Sequence, residues 1–127
     1  MQATILVVED DRLNRELIIK VLRQEGHHVL QACDGASALE MLQALSCNLV
    51  LTDFAMPKVN GIRFVERLHA LQPQMPIILI TGYQSAVSGT TIVDKVSDVL
   101  AKPFDLNVLR LTVRRLLDTT PPQRPKH

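Results

Sequence analysis

The sequence contains no tryptophan, one tyrosine and three phenylalanines. So few flat rings argue against a stacking platform for single-stranded nucleic acid. Charge of one sign is also missing. Fourteen Lys and Arg against thirteen Asp and Glu leave a net charge of +1, too little field to recruit nucleic acid or an anionic membrane. No recognition helix or basic stripe is left over to read DNA. No apolar run approaches the length of a membrane span, and the N-terminus lacks the basic-then-apolar order of a secretion signal. A cytoplasmic location without membrane contact is the expectation. The two cysteines, Cys33 and Cys47, stand in no metal or redox spacing and read as small buried or half-buried residues. What is present is 127 residues, nearly half of them apolar, enough for the core of one domain and too few for two ordinary ones.

The organising stretch is NLVLTDFAMPKVNG, Asn48 to Gly61. Its unbroken apolar run, bounded by turn residues, predicts a strand buried on both faces, hence one inside a parallel sheet. The run stops at a lone acid, Asp53. A second such strand, TILVV at Thr4 to Val8, runs into Glu9, Asp10 and Asp11, which cannot continue a buried strand. Leu13, Leu17, Ile18, Val21 and Leu22 recur at helical spacing, with Arg12, Arg15, Glu16 and Arg23 on the opposite face and Gly26 as the stop. His28 to Ala32 is a short strand; His27 and His28 read as loop residues rather than metal ligands. Asp34 caps a second helix. Ile62, Phe64, Val65, Leu68 and Leu71 form the apolar stripe of a third, with His69 beside it. Ile77 to Ile80 is a strand ending at Thr81. A short or mobile helix is expected over 83–97, where Gly89 and the β-branched run after it are poor helix formers. Asp98 to Ala101 is the last strand, ending at Lys102, and Leu106 to Leu117 the last helix, with Arg114 and Arg115 on its polar side. The division expected is one domain over 1–118 and a disordered Pro-rich tail or linker over 119–127.

Five repeats of strand then helix imply an α/β fold with helices on both faces of a parallel sheet. The expected architecture is a flavodoxin-like (βα)5 three-layer sandwich with five strands in the order 2-1-3-4-5. In that order strands one and three are neighbours at the switch point where such sheets place their chemistry. Glu9, Asp10, Asp53, Thr81 and Lys102 then meet at one edge. Clustered carboxylates repel unless a cation neutralises them, and oxygen ligands with room for water suit Mg²⁺, or Mn²⁺ in its place. Asp53 can act as a nucleophile toward phosphorus, with Lys102 supplying charge and Thr81 a hydrogen bond. Taken singly, each residue has a plainer reading. The acids are a solvated turn, Asp53 a helix cap and Lys102 a surface charge. It is their joint placement that favours a site.

Four pieces together, ILVVEDD at Ile5 to Asp11, LVLTDFAMP at Leu49 to Pro57, LITG at Leu79 to Gly82 and LAKPF at Leu100 to Phe104, resemble the receiver domain of two-component response regulators over about Ala3 to Asp118. The resemblance implies a phosphorelay switch with Asp53 as phosphoacceptor. It implies Mg²⁺ held by Asp10, Asp53 and the backbone carbonyl of Ala55, with Glu9 acting through water. Thr81 becomes the switch hydroxyl and Lys102 the phosphate partner before a cis Pro103. The implied donor is a phosphohistidine on a histidine kinase or phosphotransfer domain, docking near Leu13 to Leu17. The controlled party is an output domain or target protein that the sequence does not name. The ending of the domain resembles receivers attached to hybrid sensor kinases. Catalysis is expected to stop at the domain's own phosphorylation and slow autodephosphorylation. Val99 stands where the family usually carries Tyr or Phe. Coupling is therefore expected through ordering of the face formed by the 83–97 segment, the last strand and the last helix. Tyr83 and Ala55 are expected to overhang Asp53, with Tyr83 screening the acyl phosphate from water. A phosphatase would want an acid where Ala55 stands, and a nucleotide-binding domain would want a Gly-rich loop where Glu9 to Asp11 stand. The alternative carried forward is a degenerate receiver serving as a phosphorylation-independent interaction module; Asp10, Asp53 and Lys102, which such a module should have lost, are all present.

Overall fold

The computed structural model describes residues 2–54, 61–82, 92 and 94–119. Five strands, β1 (Thr4–Val8), β2 (His28–Ala32), β3 (Leu49–Asp53), β4 (Ile77–Thr81) and β5 (Asp98–Ala101), alternate with helices α1 (Arg12–Gln24), α2 (Gly35–Ala44), α3 (Gly61–Leu71) and α4 (Leu106–Thr119) among the described residues. The sheet is parallel throughout, in the order β2-β1-β3-β4-β5, as the alternation predicts.

Side chains of a strand point alternately to its two faces, and that period divides the core in two. Ile5, Val7, Leu49, Leu51, Ile78 and Ile80 face α1 and α4, meeting Ile18, Leu22, Leu109 and Val113. Leu6, Val8, Val50, Ile77 and Leu79 face α2 and α3, meeting Ala38, Phe64, Val65 and Leu68. Every residue of β3 and β4 is buried, because helices cover both faces of the central strands. Removing one such side chain leaves a cavity that stiff neighbours cannot close, so Leu51→Ala should destabilise the fold by roughly 2–5 kcal/mol.

The helix ends follow local chemistry. Asp34 accepts a hydrogen bond from the Ser37 amide at 2.8 Å, capping α2. At the end of α1, Gly26 takes φ +90°. The Gly26 amide donates to the Arg23 carbonyl and the His27 amide to the Leu22 carbonyl, the paired bonds that close a helix on a left-handed residue. A side chain at Gly26 would be strained there.

Three burial expectations are corrected. On α1 the buried residues are Ile18, Ile19, Val21 and Leu22, whereas Leu13 is 75% and Leu17 44% exposed. Periodicity defines a stripe, but the sheet decides which sector it covers, and Leu13 and Leu17 lie to one side of that sector. Leu71, in the last turn of α3, is exposed for the same kind of reason. Cys33 is exposed just beyond β2, whereas Cys47 is buried and its thiol pushed up to about 11 by that burial. His28 opens β2, as the strand reading of His28 to Ala32 has it, and His69 is half-buried on α3. Of the helix expected over 83–97, only Ile92 and 94–97 are described. They form a turn in which the Lys95 amide donates to the Ile92 carbonyl, with Ile92 buried in the core on the α2 and α3 side. Most of the proposed tail, 120–127, lies outside the described residues.

Candidate functional site

The strand register brings the candidate residues to one edge. Val8 is level with Thr52 and Asp53 with Ile80, while Thr81 is level with Ala101. Glu9, Asp53 and Thr81 therefore arrive side by side at the C-terminal ends of β1, β3 and β4. Lys102 follows β5, and its amide donates to the Thr81 carbonyl at 2.8 Å. Ile5 and Val7, Leu49 and Leu51, and Leu100 all belong to the core under α1 and α4. The same two-residue alternation carries on past them to Glu9, Asp53 and Lys102.

These three side chains touch. The Lys102 Nζ lies 3.1 Å from Asp53 Oδ2 and 3.4 Å from Glu9 Oε1. Asp53 is 5% and Glu9 1% exposed, and the Lys102–Pro103 peptide is cis. Burial, assisted by the neighbouring Asp53 carboxylate and opposed by the Asp11 amide and Lys102, pushes the Glu9 carboxyl up from 4.5 to about 7. For Lys102, burial works to depress its pKa. The hydrogen bond and charge of Asp53, then those of Glu9, outweigh it, so the ammonium is held above its ordinary range.

Carboxylate oxygens of Glu9, Asp10 and Asp53 lie within 4.8 Å of one another, two of the residues buried and Asp10 exposed. Three acids against one ammonium leave the edge electronegative. The donors are hard oxygens only, and the exposed side at Asp10 leaves room for water. This donor set fits Mg²⁺, which keeps several waters, and does not fit zinc, which prefers nitrogen and sulfur. The sequence prediction that Glu9, Asp10, Asp53, Thr81 and Lys102 share one edge corresponds to what is observed, with Thr81 buried at the tip of β4. Val99 is half-buried on β5 and packs against the core on the α2 and α3 side. Ala55 and Tyr83 lie outside the described residues.

Sequence reasoning missed two contributors. Arg15, assigned to the polar face of α1, donates from Nη1 to the Glu9 backbone carbonyl at 2.8 Å. Gly61 opens α3 with its amide on the Phe54 carbonyl at 3.0 Å. A Cβ at Gly61 would meet that carbonyl oxygen at 2.2 Å. Gly61 thus stands directly against the residue that follows Asp53. The only sequence signals were an arginine one helical turn after the acids and a glycine opening an apolar stripe.

Comparison with known proteins agrees with this geometry. Residues 5–114 match the family model described as "Response regulator receiver domain". The response regulator receiver protein CpdR of Brucella abortus is 36% identical over 114 residues, spanning 89% of this chain and 95% of CpdR. The autoinducer 1 sensor kinase/phosphatase LuxN of Vibrio campbellii is 37% identical over 108 residues, which are 84% of this chain but 13% of LuxN. Among solved structures, the response regulator TrrA of Thermotoga maritima, in complex with Mg²⁺-BeF, superposes with a TM-score of 0.84 at 28% identity, covering 91% of this chain and 99% of TrrA. Receiver domains are phosphorylated by histidine kinases and regulate output domains. Among the described residues, no helix is long and apolar enough to cross a membrane. The chain belongs to the response regulator receiver domain family, the phosphoacceptor switches of two-component signalling.

Proposed function

We propose that Asp53 is the phosphoacceptor and that Asp10, Asp53 and the Ala55 carbonyl hold Mg²⁺, with Glu9 acting through water. The observation that carries this reading is the ammonium of Lys102 held at 3.1 Å from Asp53 and 3.4 Å from Glu9 at the end of the central strand. A carboxylate oxygen of Asp53 attacks the phosphorus of a phosphohistidine. The P–O bond forms as the P–N bond breaks, and the imidazole, protonated on its other ring nitrogen, leaves with the electron pair. The products are an aspartyl phosphate and a neutral histidine. Bound Mg²⁺ supplies charge neutralisation for the phosphoryl oxygens. Lys102, already facing Asp53, is placed to pair with one of those oxygens, and Thr81 is the hydroxyl at the edge that can hydrogen-bond another. The burial of Asp53 and Glu9 keeps these charges in a low-dielectric setting, where such pairing is stronger than in water.

The donor is a histidine kinase or histidine phosphotransfer domain, and its docking surface is the exposed Leu13 and Leu17 of α1 beside the acidic edge. The controlled party is an output domain or target protein. The domain catalyses only its own phosphorylation and slow dephosphorylation. Intact-mass spectrometry after incubation with Mg²⁺ and acetyl phosphate tests the chemistry. A single phosphoryl adduct is expected, absent in Asp53→Asn and lost on chelating the metal. An adduct that persists in Asp53→Asn, or none in wild type, overturns it.

A further inference from the structure

The loop carrying Glu9 and Asp10 is held from several sides. The Glu9 amide donates to the Ala32 carbonyl on the edge strand at 3.1 Å. Its carboxylate Oε2 accepts from the Asp11 amide at 3.2 Å, while Oε1 faces Lys102. That leaves the Glu9 carbonyl, which is part of the peptide plane leading into Asp10. Arg15 takes it, donating from Nη1 at 2.8 Å. The same guanidinium donates from Nε to the Gln31 side-chain oxygen at 3.2 Å. Gln31 lies on β2, so the arginine ties α1, the edge strand and the acidic loop together through one planar group. A guanidinium holds two partners in a fixed fork, which a single point charge does not.

We propose that Arg15 is a positioning residue. By clamping the Glu9 carbonyl and bracing itself on Gln31, it fixes the Glu9–Asp10 peptide plane and so presents the Asp10 carboxylate to the cation site. This rests on the reading of Glu9, Asp10 and Asp53 as that site. Arg15 is not itself a ligand; it acts in the way outer partners orient metal ligands, whose loss weakens binding by about 10–100-fold.

The sign of the effect separates this role from simple electrostatics. Arg15 is a cation near a cation site. If only its charge mattered, removing it should tighten Mg²⁺ binding. If it positions Asp10, removing it should weaken binding despite the relief of repulsion. Mg²⁺ affinity measured by calorimetry on the unphosphorylated protein, alongside urea unfolding, decides between the two. Arg15→Gln is expected to weaken Mg²⁺ about tenfold with the fold retained. Arg15→Lys, able to donate one bond but not to fork, should recover part of that loss. Gln31→Ala, which leaves the arginine and its charge in place, should weaken binding by a smaller factor. Unchanged or tighter binding in Arg15→Gln overturns the proposal, as does Gln31→Ala binding like wild type. Absence of Mg²⁺ binding in wild type, or no weakening in Asp10→Asn, instead removes the site reading on which the proposal stands.

Discussion

At the end of the sheet where strands begin, polar side chains meet backbone. His27, Asn48 and Ser97 each immediately precede a strand and each accept from an amide at the start of the neighbouring strand: Ala3 to His27 Nδ1 at 3.2 Å, Thr4 to Asn48 Oδ1 at 2.8 Å, Ile77 to Ser97 Oγ at 3.2 Å. Their own amides donate onward within the sheet in two cases, Asn48 to the Thr4 carbonyl and Ser97 to the Ile77 carbonyl. At the opposite end side chains meet one another. Three carboxylates and an ammonium share the edge, and burial holds Glu9 far from its ordinary pKa. One end is built from neutral bonds, each worth about 1 kcal/mol. The other stores like charges that a cation and a phosphoryl group can reorganise. The same parallel strands make both, because amides at their starts take side-chain partners and the residues at their tips carry the charge.

Of the changes at the two ends of the sheet, the largest comes from filling the space at Gly61. Gly61→Ala forces the Phe54 carbonyl to move and should destabilise the fold by roughly 2–4 kcal/mol, read by urea unfolding. It should also weaken Mg²⁺ binding, since Phe54 follows Asp53. A variant within about 0.5 kcal/mol of wild type would show that the Phe54 carbonyl gives way freely.

Next is the pH dependence of the charged end. The Glu9 carboxyl titrates at about 7 in the fold against 4.5 when unperturbed. The native state therefore binds more protons between those values. That contribution is full below about 4.5 and is lost as pH rises through about 7, by about 3 kcal/mol without metal. Glu9→Gln should flatten that slope in Mg²⁺-free buffer, and an unaltered slope would assign it elsewhere.

Smaller is the neutral end. Asn48→Ala should lower stability by about 1 kcal/mol while leaving Mg²⁺ affinity within twofold of wild type, if about two-thirds of a thermal unit of coupling is the limit between sites this far apart in role. A clear loss of Mg²⁺ affinity would join the two ends that the comparison separates.

The smallest effect has the opposite pH sign. Burial depresses the His27 pKa, aided by the nearby chain terminus and opposed by Glu25. Its Nδ1 accepts from Ala3 only when unprotonated. This contribution is present above the unfolded value near 6.5 and is lost as pH falls through the lower folded value. His27→Gln should remove that acid-side loss, visible as a changed unfolding midpoint below pH 6; no change would mean the histidine charges without strain.

Much of this was legible in the sequence because it repeats. Unbroken apolar runs marked β1, β3 and β4, and helical stripes marked α1 and α3. Once the strands were in order, Glu9, Asp10, Asp53, Thr81 and Lys102 had to share an edge. What was not legible depended on neighbours far along the chain. Arg15 read as a surface charge because its two partners, the Glu9 carbonyl and Gln31, come together only when β1 and β2 pair. His27 does lie outside the helices and strands, but its bond from Ala3 was not legible because that same pairing brings the two together.

The sequence by itself determined the alternation of elements, the two-sided burial of the central strands and the identity of the acids and lysine at their tips. Those follow from local periodicity and from the impossibility of carrying unpaired carboxylates through a buried strand. Only the tertiary structure decided that Leu13 and Leu17 stay exposed, that the Phe54 carbonyl excludes any side chain at Gly61, and that burial at the sheet's edge pushes Glu9 to about 7. Exposure, close approach and desolvation depend on what the rest of the chain places nearby, and no run of neighbouring residues specifies that.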